Sequence, residues 1–341
     1  MLNIAVSGAT GLVGQTIIEI LEQRNFPVKQ LFPLASEKSA GDSLLFKDRP
    51  VIINNLAEFD FQQNNVDLAF FSSGREISAK YVEPAAKTGC VVIDNTSHFR
   101  YQDNIPLVVP EINPDDLKLL KDNNIISNPN CATIQALLVL KPIHDLVGIE
   151  RIDFMTYQSV SGSGKAAISE LVTQTTEALN GKPIEPKFYA KQIAFNIIPH
   201  VDIFQDNGYS KEEMKMVWET HKVLHDDSIK ITATTVRVPT LYGHSVSMHI
   251  VTKKPIAAAT AKEILAKAPG VKVLDDPKNN IYPTNIPDAV GSDEAIVGRI
   301  RNFLHDENGL AMWVIADNVR KGGALNAVQI AEMLLTRHML K

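Results

Sequence analysis

The chain has 341 residues, 45% of them hydrophobic and 21% charged, and a net charge of −5. That length suits about two domains, and the mild acidity argues against nonspecific nucleic-acid binding, which needs surplus basic charge. With only two cysteines, Cys90 and Cys131, a disulfide framework and a cysteine-built zinc site are excluded, and no metal site is expected.

In chain order, residues 4–6 read as a strand, 12–21 as an apolar-rich helix and 30–34 as a second strand. Residues 67–71 and 90–93 are further buried strands with a helix at 76–88 between them, and 125–126 is another. Alternating β and α segments with apolar strands predict a doubly wound parallel sheet. After residue 131 the texture changes. Residues 132–146 read as an apolar helix, followed by longer strand-like runs at 151–160, 229–238, 245–252, 294–303 and 310–316. These predict a mixed or antiparallel sheet in a second domain. Residues 181–207 carry several prolines and little periodicity, and read as a contact arm or surface excursion. The final segment, 325–340, has a helical period with Ala327, Ile330, Ala331, Leu334 and Leu335 on one face. That face is expected to pack back on the first domain. No apolar run reaches the length of about 18 residues expected of a transmembrane helix. Met1-Leu2-Asn3-Ile4 enters the first strand without a basic leader, so no signal peptide and no membrane partner are expected, and a cytoplasmic enzyme is the leading class.

Gly8-Ala9-Thr10-Gly11-Leu12-Val13-Gly14 follows the first strand and opens the first helix. Glycines at Gly8, Gly11 and Gly14 let the backbone approach a pyrophosphate, and the helix N-terminus offers free N–H groups. An NAD site usually carries an acidic residue at the end of the second strand. Here that region reads Ala35-Ser36-Glu37-Lys38-Ser39. The cation of Lys38 and the hydroxyls of Ser36 and Ser39 suit a 2′-phosphate and favour NADP, whereas Glu37 could turn in toward a ribose.

Ser127-Asn128-Pro129-Asn130-Cys131-Ala132-Thr133 places Cys131 after a strand and at the start of a helix. The positive end of a helix favours a thiolate there. Cys90 sits in the apolar run Cys90-Val91-Val92-Ile93 and reads as core. A thiolate nucleophile needs a partner. Of nine histidines, His244 in Tyr242-Gly243-His244-Ser245 and His98 beside Arg100 have the most suggestive settings.

These motifs, with Gln158-Ser159-Val160-Ser161-Gly162, Lys211-Glu212-Glu213-Met214-Lys215 and Arg237-Val238-Pro239 ahead of Gly243-His244, occur in an order that closely resembles the aspartate-semialdehyde dehydrogenase family. The resemblance runs over essentially the whole chain. It implies an α/β fold of the glyceraldehyde-3-phosphate-dehydrogenase-like kind. A Rossmann-like NADP-binding domain would span 1–130 plus 322–341, and a mixed α/β catalytic and dimerisation domain 131–321. The implied reaction is NADPH-dependent reduction of L-aspartyl-4-phosphate to L-aspartate 4-semialdehyde with release of phosphate, on the way to lysine, threonine, methionine and diaminopimelate. By the same resemblance Cys131 would form an acyl-thioester, Gln158 would orient it and His244 would be the acid/base. Arg237 would bind the substrate α-carboxylate and Glu212 its amino group, Arg100 and Lys215 the phosphate, with Asn130 also at the substrate. Gly8, Thr10, Gly11, Leu12, Val13 and Gly14 would cradle the cofactor, Ser36, Lys38 and Ser39 its 2′-phosphate end, and Ser161, Gly162 and Asn318 would also touch it. A homodimer is implied.

Two departures stand out. The family commonly reads Asp-Asn-Ser-Ser-Ala-Phe-Arg where this chain has Asp94-Asn95-Thr96-Ser97-His98-Phe99-Arg100, and commonly has Arg where this chain has Lys38. N-acetyl-γ-glutamyl-phosphate reductase, with Gly-Cys-Tyr-Pro at the nucleophile, and glyceraldehyde-3-phosphate dehydrogenase, with Ser-Cys-Thr-Thr-Asn, fit Asn130-Cys131-Ala132-Thr133 less well. A non-catalytic NADP-binding protein would have little reason to keep Cys131, Gln158 and His244.

Overall fold

A computed structural model describes residues 1–340, in two compact units: 1–130 with the C-terminal segment from 323, and 131–322. The first unit begins with β1 (Leu2–Ser7), α1 (Leu12–Gln23) and β2 (Val28–Ala35). A hairpin follows, β3 (Ser43–Phe46) and β4 (Arg49–Ile52), then β5 (Asn54–Asn55). β6 (Leu68–Phe71), α2 (Arg75–Lys87), β7 (Val91–Asp94) and β8 (Ile125–Ser127) complete this stretch. Its six-stranded sheet is parallel throughout, in the order β5-β2-β1-β6-β7-β8. This is the doubly wound, Rossmann-like arrangement, with β1 at the point where the strand order reverses.

Side-chain alternation along these strands makes two cores, one per sheet face. Ile4, Val6, Phe70 and Ile93 join the core on the α1 side, whereas Ala5, Ala69, Phe71 and Val92 join the core that takes in α2. Cys90 is fully buried in the second of these, just ahead of β7. Burial pushes its thiol well above the ordinary range.

The second unit opens with α3 (Cys131–Val147) and β9 (Ile149–Gln158), then α4 (Lys165–Leu179) and α5 (Lys211–Leu224). β10 (Lys230–Arg237), β11 (His244–Thr252), α6 (Ala258–Leu265), β12 (Val271–Val273), β13 (Ala295–Asn302) and β14 (Gly309–Ala316) follow. The sheet runs β10-β9-β11-β14-β13-β12 and is mixed: its two outer pairs are parallel and the central strands antiparallel. α3 lies across β9, β11, β13 and β14 and also packs on α5 and α6. Along β9 the residues Ile152, Phe154, Thr156 and Gln158 are buried, while Met155 and Tyr157 between them are more exposed.

The last helix, α7 (Leu325–Thr336), belongs to the first unit. Leu325, Ala327, Val328, Ile330, Ala331 and Leu334 enter the core beside α1. Fully buried Asn326 donates to Val108 O at 3.0 Å and to Asn128 Oδ1 at 2.6 Å, which ties the helix to the chain around β8.

Two expectations need correction, and one element was not anticipated. The last helix stops at Thr336 rather than 340, and His338 beyond it takes a left-handed φ of 53°. The strand expected over 151–160 ends at Gln158, because Ser159 caps a 3₁₀ turn (Val160–Ser163). The β3–β4 hairpin gives no sequence signal, since its turn is Lys47-Asp48, with φ 52° and 57°, instead of the Asn-Gly or Asp-Gly pairs that usually mark such turns.

The close contact between β1's turn and α1 depends on Gly14. A Cβ on that residue would stand 2.1 Å from Gly8 O. Gly14→Ala is therefore expected to overpack the turn and destabilise the protein by about 1–3 kcal/mol, measured as a lower urea midpoint.

Candidate functional site

In the first unit the chain leaves β1 through Gly8, which has a φ of 83°, and enters α1 at an N-cap, Gly11, that supplies no side-chain bond. The first N–H groups of α1 are thus left for a ligand, at the positive end of the helix. Leu12, Val13 and Gly14 form that first turn. A cavity of about 530 Å³ lies against it, lined by Gly8, Thr10, Gly11, Ser36, Glu37 and Tyr81 among others. A side chain at Gly8 would collide with Ser72, so only glycine leaves this wall open. The bare turn, the uncapped helix and the adjoining cavity fit a dinucleotide. Ser36 lines this cavity, but Lys38 and Ser39 do not. They lie on a 3₁₀ turn (Glu37–Ser39), and Lys38 is exposed.

The loop after β7 is shaped by buried Asp94, which accepts from Ser78 Oγ at 2.8 Å, Thr96 N at 3.1 Å and Thr96 Oγ1 at 2.9 Å. Burial raises its carboxyl above the usual range, and these bonds oppose the rise. Arg100 is buried and donates to Asn95 O at 2.9 Å. Both polar atoms of the Asn95 side chain are buried and, among the described residues, have no partner, as is His98 Nδ1. The His98 ring packs edge-on against Phe99. Asn95 lies in the segment compared with the family above, but its residue type alone did not single it out. Asn130 is buried at the end of this unit.

In the second unit, strand register assembles the site. Arg237 pairs with Gln158 across β10 and β9. Ser245 pairs with Tyr157 across β11 and β9, which sets His244 beside Gln158. His244 pairs with Ala316 across β11 and β14, and Asn318 lies two residues further on. Neighbouring strands are about 4.8 Å apart, so Arg237, Gln158 and His244 form a short buried row.

Two helices bring the remaining groups to this row. Cys131 is the first residue of α3. One turn on, buried Gln135 donates to His244 O at 3.2 Å, which fixes the head of the helix against β11. Gly322 admits the nucleophile candidate closely, for a Cβ there would be 2.7 Å from Cys131 Cβ. α5 starts with a capping box between Ser210 and Glu213, and Glu213 Oε1 also accepts from Thr235 N at 3.0 Å on β10. That anchor directs Glu212 and Lys215 inward. Glu212 accepts from Gln158 Nε2 at 3.1 Å and from Lys215 Nζ at 2.9 Å. Lys215 Nζ also donates to Asp202 Oδ2 at 2.7 Å. Burial alone would raise the Asp202 carboxyl, but the Lys215 ammonium beside it holds it below the usual range.

His244 is fully buried. Burial first, and next the Arg237 guanidinium, push its imidazolium down to about 3, with Glu212 acting the other way. Arg237 Nη1 donates to Ser159 O at 2.7 Å, while its Nε is buried without a partner among the described residues. Ser159, Ser161, Asn318 and the Gly243 N–H share one hydrogen-bonded cluster, in which Asn318 Oδ1 accepts from Gly243 N at 2.9 Å. Gly162 is exposed, and a Cβ on it would lie 3.0 Å from His244 Nε2 and 3.1 Å from Arg237 Nη1. Sequence reasoning missed Ser159, Gln135 and Asp202. Gln135 alone left a trace, as a polar residue four positions after Cys131 in the largely apolar first half of its helix. Among the described residues no cluster of three metal-ligating side chains occurs.

Known proteins share this organisation. Residues 3–120 match the family model described as semialdehyde dehydrogenase, NAD binding domain, and residues 140–321 the one described as semialdehyde dehydrogenase, dimerisation domain. The chain is 54% identical over 340 residues to aspartate-semialdehyde dehydrogenase of Legionella pneumophila, covering 100% of this chain and 97% of that protein. It is 45% identical over 341 residues to the Bacillus subtilis enzyme of the same name, covering 98% and 97%. Among solved structures, aspartate semialdehyde dehydrogenase II of Vibrio cholerae, complexed with ASA, superposes with a TM-score of 0.96 at 52% identity, covering 98% of each chain. A nucleotide-binding turn, a cysteine heading its helix and a full-length match at this identity converge: the chain belongs to the aspartate-semialdehyde dehydrogenase family.

Proposed function

We propose that the protein reduces L-aspartyl-4-phosphate to L-aspartate 4-semialdehyde, with NADPH as reductant and a thioester on Cys131 as intermediate. This would serve lysine, threonine, methionine and diaminopimelate synthesis. The observation that carries the reading is Cys131 at the head of α3, held by Gln135 against the buried row Arg237, Gln158 and His244.

Cys131 Sγ attacks the acyl carbon and phosphate leaves, which divides one difficult reduction into two easier steps. When bound, the nicotinamide cofactor supplies a hydride to the thioester carbon. Gln158, fixed by Glu212, orients the acyl group. The Nε edge of Arg237, lacking a partner among the described residues, is free to form a bidentate pair with the substrate carboxylate. We assign the Glu212 carboxylate, the negative charge beside Gln158, to the substrate amine. Lys215 and Arg100 take the phosphate, with Asn130 also at the substrate. Ser161, Gly162 and Asn318 hold the nicotinamide end, and the turn from Gly8 to Gly14 holds the pyrophosphate.

Preference for NADP over NAD rests on Ser36, Lys38 and Ser39, although Glu37 is the charged residue that lines the cavity. The family model's description as a dimerisation domain supports a homodimer. The sheet face carrying Tyr157 and Trp313, with rings 5.5 Å apart, is the surface we assign to a second copy. Among the described residues no helix is long and apolar enough to cross a membrane, and we place the enzyme in the cytoplasm.

The decisive experiment follows absorbance of the reduced cofactor with aspartate semialdehyde, phosphate and NADP⁺, and repeats it with N-acetylglutamate semialdehyde. Turnover is expected with the first substrate only. Cys131→Ala should abolish it while leaving cofactor affinity unchanged, and residual turnover near the wild-type rate would sink the nucleophile assignment. Lys38→Ala is expected to weaken NADPH about two- to fivefold, the scale of an exposed ion pair, with less effect on NADH. Equal losses would remove Lys38 from the 2′-phosphate. His244 also sets a pH dependence. Its ordinary pKa is 6.5, and in the fold it falls to about 3. The unfolded chain therefore takes the proton first. The stability due to the neutral ring is fully present above pH 6.5 and is lost as pH falls from 6.5 toward 3. Between those limits wild type should lose stability more steeply than His244→Gln, by at most about 1.4 kcal/mol per pH unit, in urea titrations.

A further inference from the structure

Ser245 and Ser247 pair with Ile315 and Trp313 across β11 and β14. Successive side chains alternate, so these four lie on the sheet face opposite to His244. That face borders a cavity of about 620 Å³, lined by Ser247, Tyr282, Thr284, Arg299, Arg301 and Trp313 among others. Among the described residues its lining includes no acid.

The two arginines reach the cavity through an irregularity in β13. Gly298 pairs with Trp313 and Arg301 with Ala311, three steps on β13 against two on β14. The extra residue is a bulge, and it reverses the alternation. In a regular strand Arg301 would face away from Gly298, whereas here both face the cavity side. Arg299, inside the bulge, takes a left-handed φ of 55°, which is uncommon for a residue with a Cβ. Asp275, its side chain fully buried, holds the bulge in place. Its carboxylate accepts from Arg299 N at 2.8 Å and Ile300 N at 3.1 Å, and pairs with Lys262 Nζ at 2.7 Å. Arg301 Nη1 donates to Arg299 O at 2.6 Å. Burial first, and next the Arg299 guanidinium, pull the Arg301 guanidinium below its ordinary range, with Asp275 acting the other way. Two like charges at one cavity repel, and a bound anion would reverse the sign of that interaction. Backbone held in a sparsely populated conformation to achieve this is a pointer to function.

The remaining walls are fixed. Ser245 Oγ donates to Asn285 Oδ1 at 2.7 Å and Asn285 Nδ2 donates to Gly243 O at 2.9 Å, which pins the loop carrying Tyr282 and Thr284 to the head of β11. Pro283 lies over Gly298, where a Cβ would collide with it and with Leu274 O. Trp313 and half-exposed Tyr282 add aromatic surface.

We propose that this cavity is a binding site for a small organic anion, whose carboxylate or phosphate is held by Arg299 and Arg301 and whose flat apolar body lies against Trp313 and Tyr282. A guanidinium matches either oxyanion through two parallel hydrogen bonds. Ser247 and Thr284 offer hydroxyls to the same ligand. The volume and the mixed aromatic and polar lining are those of small-molecule sites. The site is separate from the reaction proposed above. Trp313 also belongs to the surface assigned to a second copy, so closure of the cavity by that copy is one outcome of the test.

The test is calorimetric titration of the full-length protein, without cofactor or substrate, with naphthoate, naphthyl phosphate and uncharged naphthamide. At least one anion is expected to bind, with the amide about tenfold weaker or more, the scale of one charge-assisted hydrogen bond. The tighter anion identifies the headgroup. Arg299→Gln and Arg301→Gln should each weaken that anion about fivefold, the upper end for an exposed ion pair. Arg237→Leu, on the opposite face, should leave its binding unchanged. The chain has two tryptophans, Trp313 and Trp218 on α5. In ¹⁵N-indole spectra of the wild type, assigned with Trp313→Phe, the Trp313 signal should move on titration and the Trp218 signal should not. This readout stands even if an arginine variant fails to fold. The proposal is overturned by absence of anion binding, which is the result if a second copy closes the cavity, by binding that survives both arginine variants, or by binding that is lost with Arg237→Leu and moves Trp218 alone.

Discussion

The pairing register of β10, β9, β11 and β14 is the constraint on which the second unit's site depends. It sets Arg237 against Gln158, and His244 beside it. Side chains alternate across a strand, so a slip of one residue would turn each of them to the opposite face. Register of this strength comes from burial. Ile152, Phe154 and Thr156 on β9 share the buried face with Gln158, as Val246, Met248 and Ile250 on β11 share it with His244. The apolar residues hold the register, and the polar ends of the strands inherit it.

Helices then deliver chemistry to a row that is already in place. α3 contributes Cys131 at its positive end and Gln135 as the bond that ties it to β11. α5 contributes Glu212 and Lys215, aimed by the Glu213 bond to β10. The unit keeps several buried polar atoms without partners among the described residues, including Arg237 Nε and His244 Nε2. Such groups lower stability, and two of them on the row beside Gln158 are the pattern expected where a site waits for a polar substrate.

Much of the first unit was legible because its signals are local. A glycine-spaced turn between a strand and a helix depends on backbone clearance, and Gly14 shows how little clearance there is. The buried strands could be read from apolar runs. The β3–β4 hairpin could not, because its turn uses Lys47 and Asp48 in conformations that their types do not advertise. Neither could Asn95, whose buried orphan atoms come from the loop's path and not from its residue type. Lys38 and Glu37 show the same limit: the strand end predicts a polar loop, but only the turn decides which charge lines the cavity.

By itself the sequence determined the two-part organisation, the parallel sheet at the start, the mixed sheet after it, and Cys131 as the thiol at a helix start with Cys90 as the core one. These follow from periodicity, glycine spacing and capping, which act over a few residues. The motif order was enough to point to the family. Tertiary structure alone decided that Gln135 ties the head of α3 to His244 O, that Gly322 lies against Cys131, that Asp202 reaches Lys215, and that the Ser159 peptide faces His244 Nδ1. These contacts join residues far apart in the chain, where no local propensity reaches. The hydrogen of an imidazole depends on what lies 3.1 Å away, and that distance exists only once the strands have paired.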